Sequence, residues 1–201
     1  MASAKAAADT LCNRDNEVSA HYLIAEDGEV LSLVPEALRA WHAGAGRWGR
    51  VTDVNSHSIG IELSNTGVAP FTAPQMDALT ELLKGITLRW AIRPERVIGH
   101  SDMAPGRKID PGPRFDWRRL AIAGLSVWPE VKDLSQDVTA VRFAAMMAAF
   151  GYIATDDPDL LLATFRRRFR QRHEGPLDVV DLAMITDLAA RFPVDVNAAW
   201  A

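Results

Sequence analysis

Two kinds of apolar pattern alternate along the chain, and each change of pattern marks an element. Ala20–Ala25 and Glu29–Val34 are short, strand-like apolar runs. Glu26-Asp27-Gly28 between them is hairpin turn chemistry. Ile59-Gly-Ile-Glu-Leu63 predicts a third short strand with one charged residue, Glu62, among apolar neighbours. Val97–Gly99 predicts the last strand, ending at His100. Helical periodicity fills the space between. Met76, Leu79, Leu82, Leu83, Ile86 and Leu88 recur at helical spacing through Trp90, with Thr72 suited to cap the helix and Pro74 to its first turn. An alanine-rich run behind a Ser3 N-cap predicts a helix to Leu11, and Asp116–Leu120 begins a short one. Arg93–Arg96 is expected as a surface turn. Strands alternating with helices imply an α/β fold, a mixed central sheet flanked by helices.

The pattern changes again after Trp128-Pro129. Residues 1–129 form one expected domain and the polar stretch 130–136 a linker. Residues 137–201 hold three helical runs, expected as a small three-helix C-terminal module. Residues 138–152 carry Val141, Phe143, Ala144, Met147 and Phe150. Residues 159–170 carry Leu161, Leu162, Phe165 and Phe169. Residues 179–192 carry Leu182, Ile185, Leu188 and Ala189. The single basic run, Arg166–Arg172, is expected to be a solvated helix face, since Phe165 and Phe169 take the buried side. Trp41–Ser58, rich in Gly, Asn and Ser, reads as a long loop, and such loops inside compact domains are usually functional.

Composition narrows the field. A length of 201 residues suits one domain, or one domain with a small module. The net charge of −4 disfavours a dedicated nucleic-acid binder. The one cysteine, Cys12, can form neither an internal disulfide nor a cysteine zinc cluster. No apolar run reaches membrane-spanning length, and the N-terminal residues lack the apolar core of an export signal. A monomer is expected. Serine or cysteine hydrolysis is a poor fit, because no Gly-x-Ser-x-Gly occurs and Cys12 falls in a helix.

The densest chemistry lies in Gly99-His-Ser-Asp-Met-Ala-Pro-Gly-Arg-Lys-Ile-Asp-Pro-Gly-Pro113. It offers an imidazole at His100, a carboxylate at Asp110 brought back by a Pro/Gly-stiffened loop, and a cation at Lys108. Zinc accepts His nitrogen and Asp oxygen, and a catalytic site keeps one position open for water. Singly, each residue has an ordinary role: a structural histidine, a turn-forming aspartate, a solvated lysine. Upstream stand Val18-Ser-Ala-His-Tyr-Leu-Ile-Ala-Glu-Asp-Gly28, Ala40-Trp-His-Ala-Gly44 and Asn55-Ser-His-Ser-Ile-Gly-Ile-Glu-Leu63. With these in the same order, residues 1 to about 128 resemble the N-acetylmuramoyl-L-alanine amidases, a zinc-dependent family that also includes phage amidases and peptidoglycan recognition proteins.

The resemblance implies an amidase/peptidoglycan-recognition-like fold and hydrolysis of the amide between N-acetylmuramic acid and L-alanine. His100 and Asp110 match zinc ligands, Glu62 the catalytic carboxylate and Lys108 the oxyanion-stabilising cation. Tyr22, Trp41 and His42 are candidates for substrate binding, with Trp41 either a sugar platform or a core plug. His21 is expected to make a core hydrogen bond. The partner implied is peptidoglycan or its muropeptides, with the helical module similar to a peptidoglycan-binding one. The compartment implied is the periplasm or cell envelope, with the cytoplasm open for a recycling role. One departure stands out. The family carries its first zinc ligand on a strand of the pattern apolar-apolar-His-Tyr-Thr, ahead of the N-terminal helix, and no such segment occurs here. Three expectations follow: a sequence incomplete at its N-terminus, a substitute ligand at His21 or His42, or a peptidoglycan binder without catalysis.

Overall fold

The computed structural model describes residues 3–132, 134–135 and 137–195. Met1, Ala2, residues Asp133 and Gln136 of the expected linker, and residues 196–201 of the expected C-terminal module lie outside the described residues. Three short strands form one mixed sheet. β1 (Tyr22–Ile24) is central; it pairs antiparallel with β2 (Val30–Ser32) and parallel with β3 (Ile61–Leu63). Leu23 lies opposite Leu31 on one side and Glu62 on the other. The predicted turn closes the hairpin, with the Gly28 amide donating to Ala25 O at 3.1 Å.

Helices cover the sheet as the apolar spacing requires. In α1 (Ala4–Cys12) the Ser3 hydroxyl caps the Ala6 amide, and Ala7 and Leu11 pack on Ala20 and Leu23. In α2 (Ala73–Arg89) Thr72 caps Gln75 and Pro74 sits in the first turn. Met76, Leu79 and Leu83 bury against Ile24 and against Phe115, Trp117 and Leu120, and Ile86 on the same stripe is buried too. Leu88 leaves this stripe, being two residues beyond Ile86 and therefore on another face of the helix, and it is 84% exposed. The buried Gln75 amide donates to Ile24 O at 2.9 Å and Ser64 O at 3.1 Å, tying α2 to the ends of β1 and β3.

The expected strand at Val97–Gly99 does not form. Its polar backbone groups are taken by turns and side chains instead of a ladder. The Val97 amide donates to Pro94 O, Val97 O accepts from Arg168, and the Gly99 amide donates to the Asp102 carboxylate. His100 accordingly opens a short helix, α3 (His100–Met103), rather than ending a strand. The Arg93–Arg96 turn is a 3-10 turn that buries Glu95 beside Arg93, at 2.8 Å, instead of leaving it in water.

After α4 (Trp117–Ile122) come α5 (Ala140–Phe150), α6 (Pro158–Phe169) and α7 (Val179–Arg191), close to the predicted spans. Phe143, Met147, Phe150, Phe165, Phe169, Leu182, Ile185 and Leu188 form one apolar cluster that also contains Ala43, Trp48, Met103 and Val127. Val141, by contrast, is 81% exposed. The basic run corrects the expectation of a solvated face. Arg166 and Arg168 are buried, because each meets a buried carboxylate: Arg166 pairs with Asp181 and Arg168 with Asp102. Arg167 is half-buried and Arg172 is exposed.

Candidate active site

His100 is held by one nitrogen. Its Nε2 lies 2.7 Å from Ala43 O, and a carbonyl oxygen only accepts, so Nε2 carries the hydrogen. The other nitrogen, Nδ1, faces Asp110 Oδ2 at 3.1 Å. Ala43 O also accepts from Arg107, which bonds Ala45 O as well. The Asn55 side chain fixes the same loop by accepting from the His42 and Ala43 amides at 3.0 and 2.8 Å.

Asp110 comes back to His100 because the loop docks tightly on it. The Ser101 amide donates to Asp110 O at 2.9 Å. Gly99 permits this approach, since a Cβ there would stand 2.6 Å from Pro111 Cδ and 3.2 Å from Trp117. Lys108 is anchored through its amide to Ala104 O at 3.0 Å, and its charge favours the ionised form of both Asp110 and Glu62.

A cavity of about 340 Å³ unites Glu62, His100, Asp110 and His42. It is lined by β3 and by Val97–Gly99, and among the described residues β3 has no second strand partner. Its two carboxyls are driven apart. Burial and the Asp110 charge push the Glu62 carboxyl up, outweighing His100 and Lys108. Burial also acts on Asp110, but the His100 hydrogen bond and nearby positive charge bring its carboxyl down. Such divergence separates a proton carrier from a permanent anion. Burial, with the neighbouring His21 and His100, lowers the His42 pKa to about 4 and keeps that ring neutral.

The remaining sequence candidates lie elsewhere. Tyr22 does not line the cavity; its hydroxyl donates to Glu36 at 2.7 Å, in a cluster with Arg89 and Trp90. Trp41 is 52% exposed beside Arg39, outside the cavity lining though next in sequence to His42. His21 makes the expected core hydrogen bonds. Its Nδ1 accepts from the Gly60 amide at 2.9 Å and its Nε2 reaches Leu38 O at 3.0 Å, so neither nitrogen is free to replace a ligand. Arg107 and Asn55 escaped the sequence reading, though both stand in the stretches that carry the chemistry.

The donor set suits zinc in part. Nδ1 of His100 and Oδ2 of Asp110 are 3.1 Å apart, near the roughly 3.4 Å expected for two neighbouring ligands of one tetrahedral zinc. A cation between this nitrogen and the Asp110 carboxylate would be bound by both. Among the described residues no third His, Cys, Asp or Glu joins these two.

Comparisons with known proteins identify the family. A profile described as N-acetylmuramoyl-L-alanine amidase matches residues 1–113. N-acetylmuramoyl-L-alanine amidase AmiD of Escherichia coli K12 is 34% identical over 214 residues, covering 90% of this chain and 77% of AmiD. The 1,6-anhydro-N-acetylmuramyl-L-alanine amidase AmpD of Enterobacter cloacae is 44% identical over 103 residues, covering 51% of this chain and 55% of AmpD. E. coli AmiD in complex with anhydro-N-acetylmuramic acid-L-Ala-D-gamma-Glu-L-Lys superposes with a TM-score of 0.86 at 32% identity, covering 94% of this chain and 84% of that one. AmpDh3 of Pseudomonas aeruginosa superposes with a TM-score of 0.83 at 30% identity, covering 94% and 87%. With the profile over most of the site-bearing half and AmiD along nearly the whole length, the chain belongs to the N-acetylmuramoyl-L-alanine amidase family.

Proposed function

We propose that this chain hydrolyses the amide between N-acetylmuramic acid and L-alanine in peptidoglycan fragments, 1,6-anhydro forms included. The observation that carries the reading is the joint placement of Glu62, His100 and Asp110 on one cavity, with the two carboxyls shifted in opposite directions. His100 Nδ1 and Asp110 would hold the zinc, and the bound ion would supply an acidified water at neutral pH. Glu62 Oε accepts the proton of the attacking water and returns it to the departing alanine nitrogen. Its raised pKa suits a group that must both take and give. Lys108 is not part of the cavity lining, but its charge acts on both Glu62 and Asp110, and its ammonium would offset the charge that develops on the lactyl carbonyl oxygen. His42, neutral and half-buried, shapes the cavity wall.

The test is Glu62→Gln, assayed on anhydro-muramoyl-L-Ala-D-γ-Glu-L-Lys with zinc supplied. Turnover should fall about 10²–10⁴-fold while the melt is retained. Equal turnover in Glu62→Gln would remove the acid/base assignment. The presence of only two donors among the described residues favours a second reading, a peptidoglycan binder without catalysis. Retention of the muropeptide by the wild-type chain, with no tripeptide released, would support it.

A further inference from the structure

The segment Val97–Asp102, which carries His100, is clamped from the far end of the chain. Arg168 of α6 is 2% exposed. Its guanidinium donates to Asp102 Oδ2 at 2.8 Å, to Val97 O at 2.9 Å and to Ser126 Oγ at 3.1 Å. It lies over the Trp117 ring at 4.3 Å. Tyr152, just beyond α5, donates its hydroxyl to the other Asp102 oxygen at 2.6 Å. The Gly99 amide completes the carboxylate at 2.8 Å. Asp102 thus receives three donors, two of them from beyond the residues 1–113 that the family profile matches.

We propose that Arg168, seconded by Tyr152, is a positioning residue for His100. It acts by fixing the backbone on both sides of that histidine. The inference rests on reading His100 as an active-site ligand. His100 is the first residue of a four-residue helix whose capping contact is Gly99 to Asp102, and its ring must reach Ala43 O across to a separate loop. So short a helix has little stability of its own. Its register is set by what holds Val97 O and Asp102, and Arg168 holds both with one rigid fork. A buried ion pair adds little net stability over an apolar replacement, so its use here is geometric. Partners that orient a ligating histidine typically matter about 10–100-fold in activity or metal affinity when removed.

The test compares Arg168→Met, Arg168→Lys and Tyr152→Phe with Arg166→Met. Arg166→Met removes another buried ion pair, one that does not touch residues 97–102. Two readouts apply to the full chain. The first is the placement of the His100 ring, read from its ring-nitrogen chemical shifts in metal-free protein, which requires no turnover. The second is kcat and KM on the muramoyl tripeptide. Arg168→Met should shift and broaden the His100 ring-nitrogen signals relative to wild type. It should also lower kcat about 10–100-fold with KM unchanged. Arg168→Lys, which keeps charge without the fork, should fall between, and Arg166→Met should leave the His100 signals as in wild type. If Arg168→Met does not fold, Tyr152→Phe carries the test with a smaller change in the same direction. Wild-type His100 signals in a folded Arg168→Met or in Tyr152→Phe, or the same change in Arg166→Met, would overturn the proposal. An inactive wild-type chain would fault the amidase reading and leave the His100 ring-nitrogen signals decisive for Arg168.

Discussion

Replacing Gly60 by alanine tests how the cavity wall is built. Gly60 precedes β3, donates its amide to His21 Nδ1 at 2.9 Å, and accepts at its carbonyl from the His21 and Tyr22 amides. Its φ is not among the left-handed values, so alanine is compatible with the backbone. The obstacle is space. A Cβ would stand 2.3 Å from His42 Cγ, 2.5 Å from Cδ2 and 2.6 Å from Nδ1. Ordinary contact begins at about 3.5 Å, so ring or backbone must shift by about an ångström. The His21 ring packs edge-on against the same ring at 5.6 Å between centroids, which limits how the ring can move. Overpacking of this kind costs about 1–3 kcal/mol, with roughly 2–4 °C in Tm for each kcal/mol in a chain of this size. Urea unfolding at pH 7 gives the number, and His42→Ala supplies the control. With the ring gone, Gly60→Ala should cost little, giving a coupling of about 1–3 kcal/mol in the double-mutant cycle. The reasoning fails if Gly60→Ala is neutral, or if it costs the same with and without the His42 ring.

The other expectations concern buried charge and the oxyanion. The Arg89 hydrogen bond, opposed by burial and aided by Trp90 and Tyr22, holds the Glu36 pKa at about 2 against its ordinary 4.5. Because the folded value is depressed, its stabilisation is fully present above pH 4.5 and lost as pH falls toward 2. Unfolding measured across that window should be steeper in wild type than in Glu36→Gln. Asp181 accepts from Arg166 and Arg170 with no exposure of its own, so Asp181→Ala should cost about 3–5 kcal/mol in denaturant unfolding, and far less when Arg166→Met is added. Lys108→Ala should lower kcat and spare substrate affinity, since the oxyanion exists only near the transition state; equal losses in both would assign Lys108 to ground-state binding.

Much of the fold lies in local pattern. The hairpin at Glu26–Gly28, the Thr72 cap and the Met76–Ile86 stripe each depend on neighbours within a few residues, and each is seen where expected. The cluster of His100, Asp110 and Glu62 was legible because motif order stands in for distance. What failed depends on partners remote in sequence. Arg168 reads as solvated until Asp102, Val97 and Ser126 are brought to it, and Arg166 until Asp181 is. Val97–Gly99 has strand composition, yet turns and side chains claim its backbone groups. Tyr22 was singled out from its motif, but Glu36, fourteen residues on, draws its hydroxyl away from the cavity.

Hydrolysis in heavy-oxygen water tests the central claim most directly. The chain, with zinc supplied, is incubated with anhydro-muramoyl-L-Ala-D-γ-Glu-L-Lys, and the products are weighed by mass spectrometry. Attack of water on the lactyl carbonyl places one heavy oxygen in the muramyl carboxylate and releases an unlabelled tripeptide with a free alanine amine. That pair is the predicted result, with Glu62→Gln giving the same labels far more slowly. Label on the peptide, scission at another bond, or an uncleaved substrate would contradict the account.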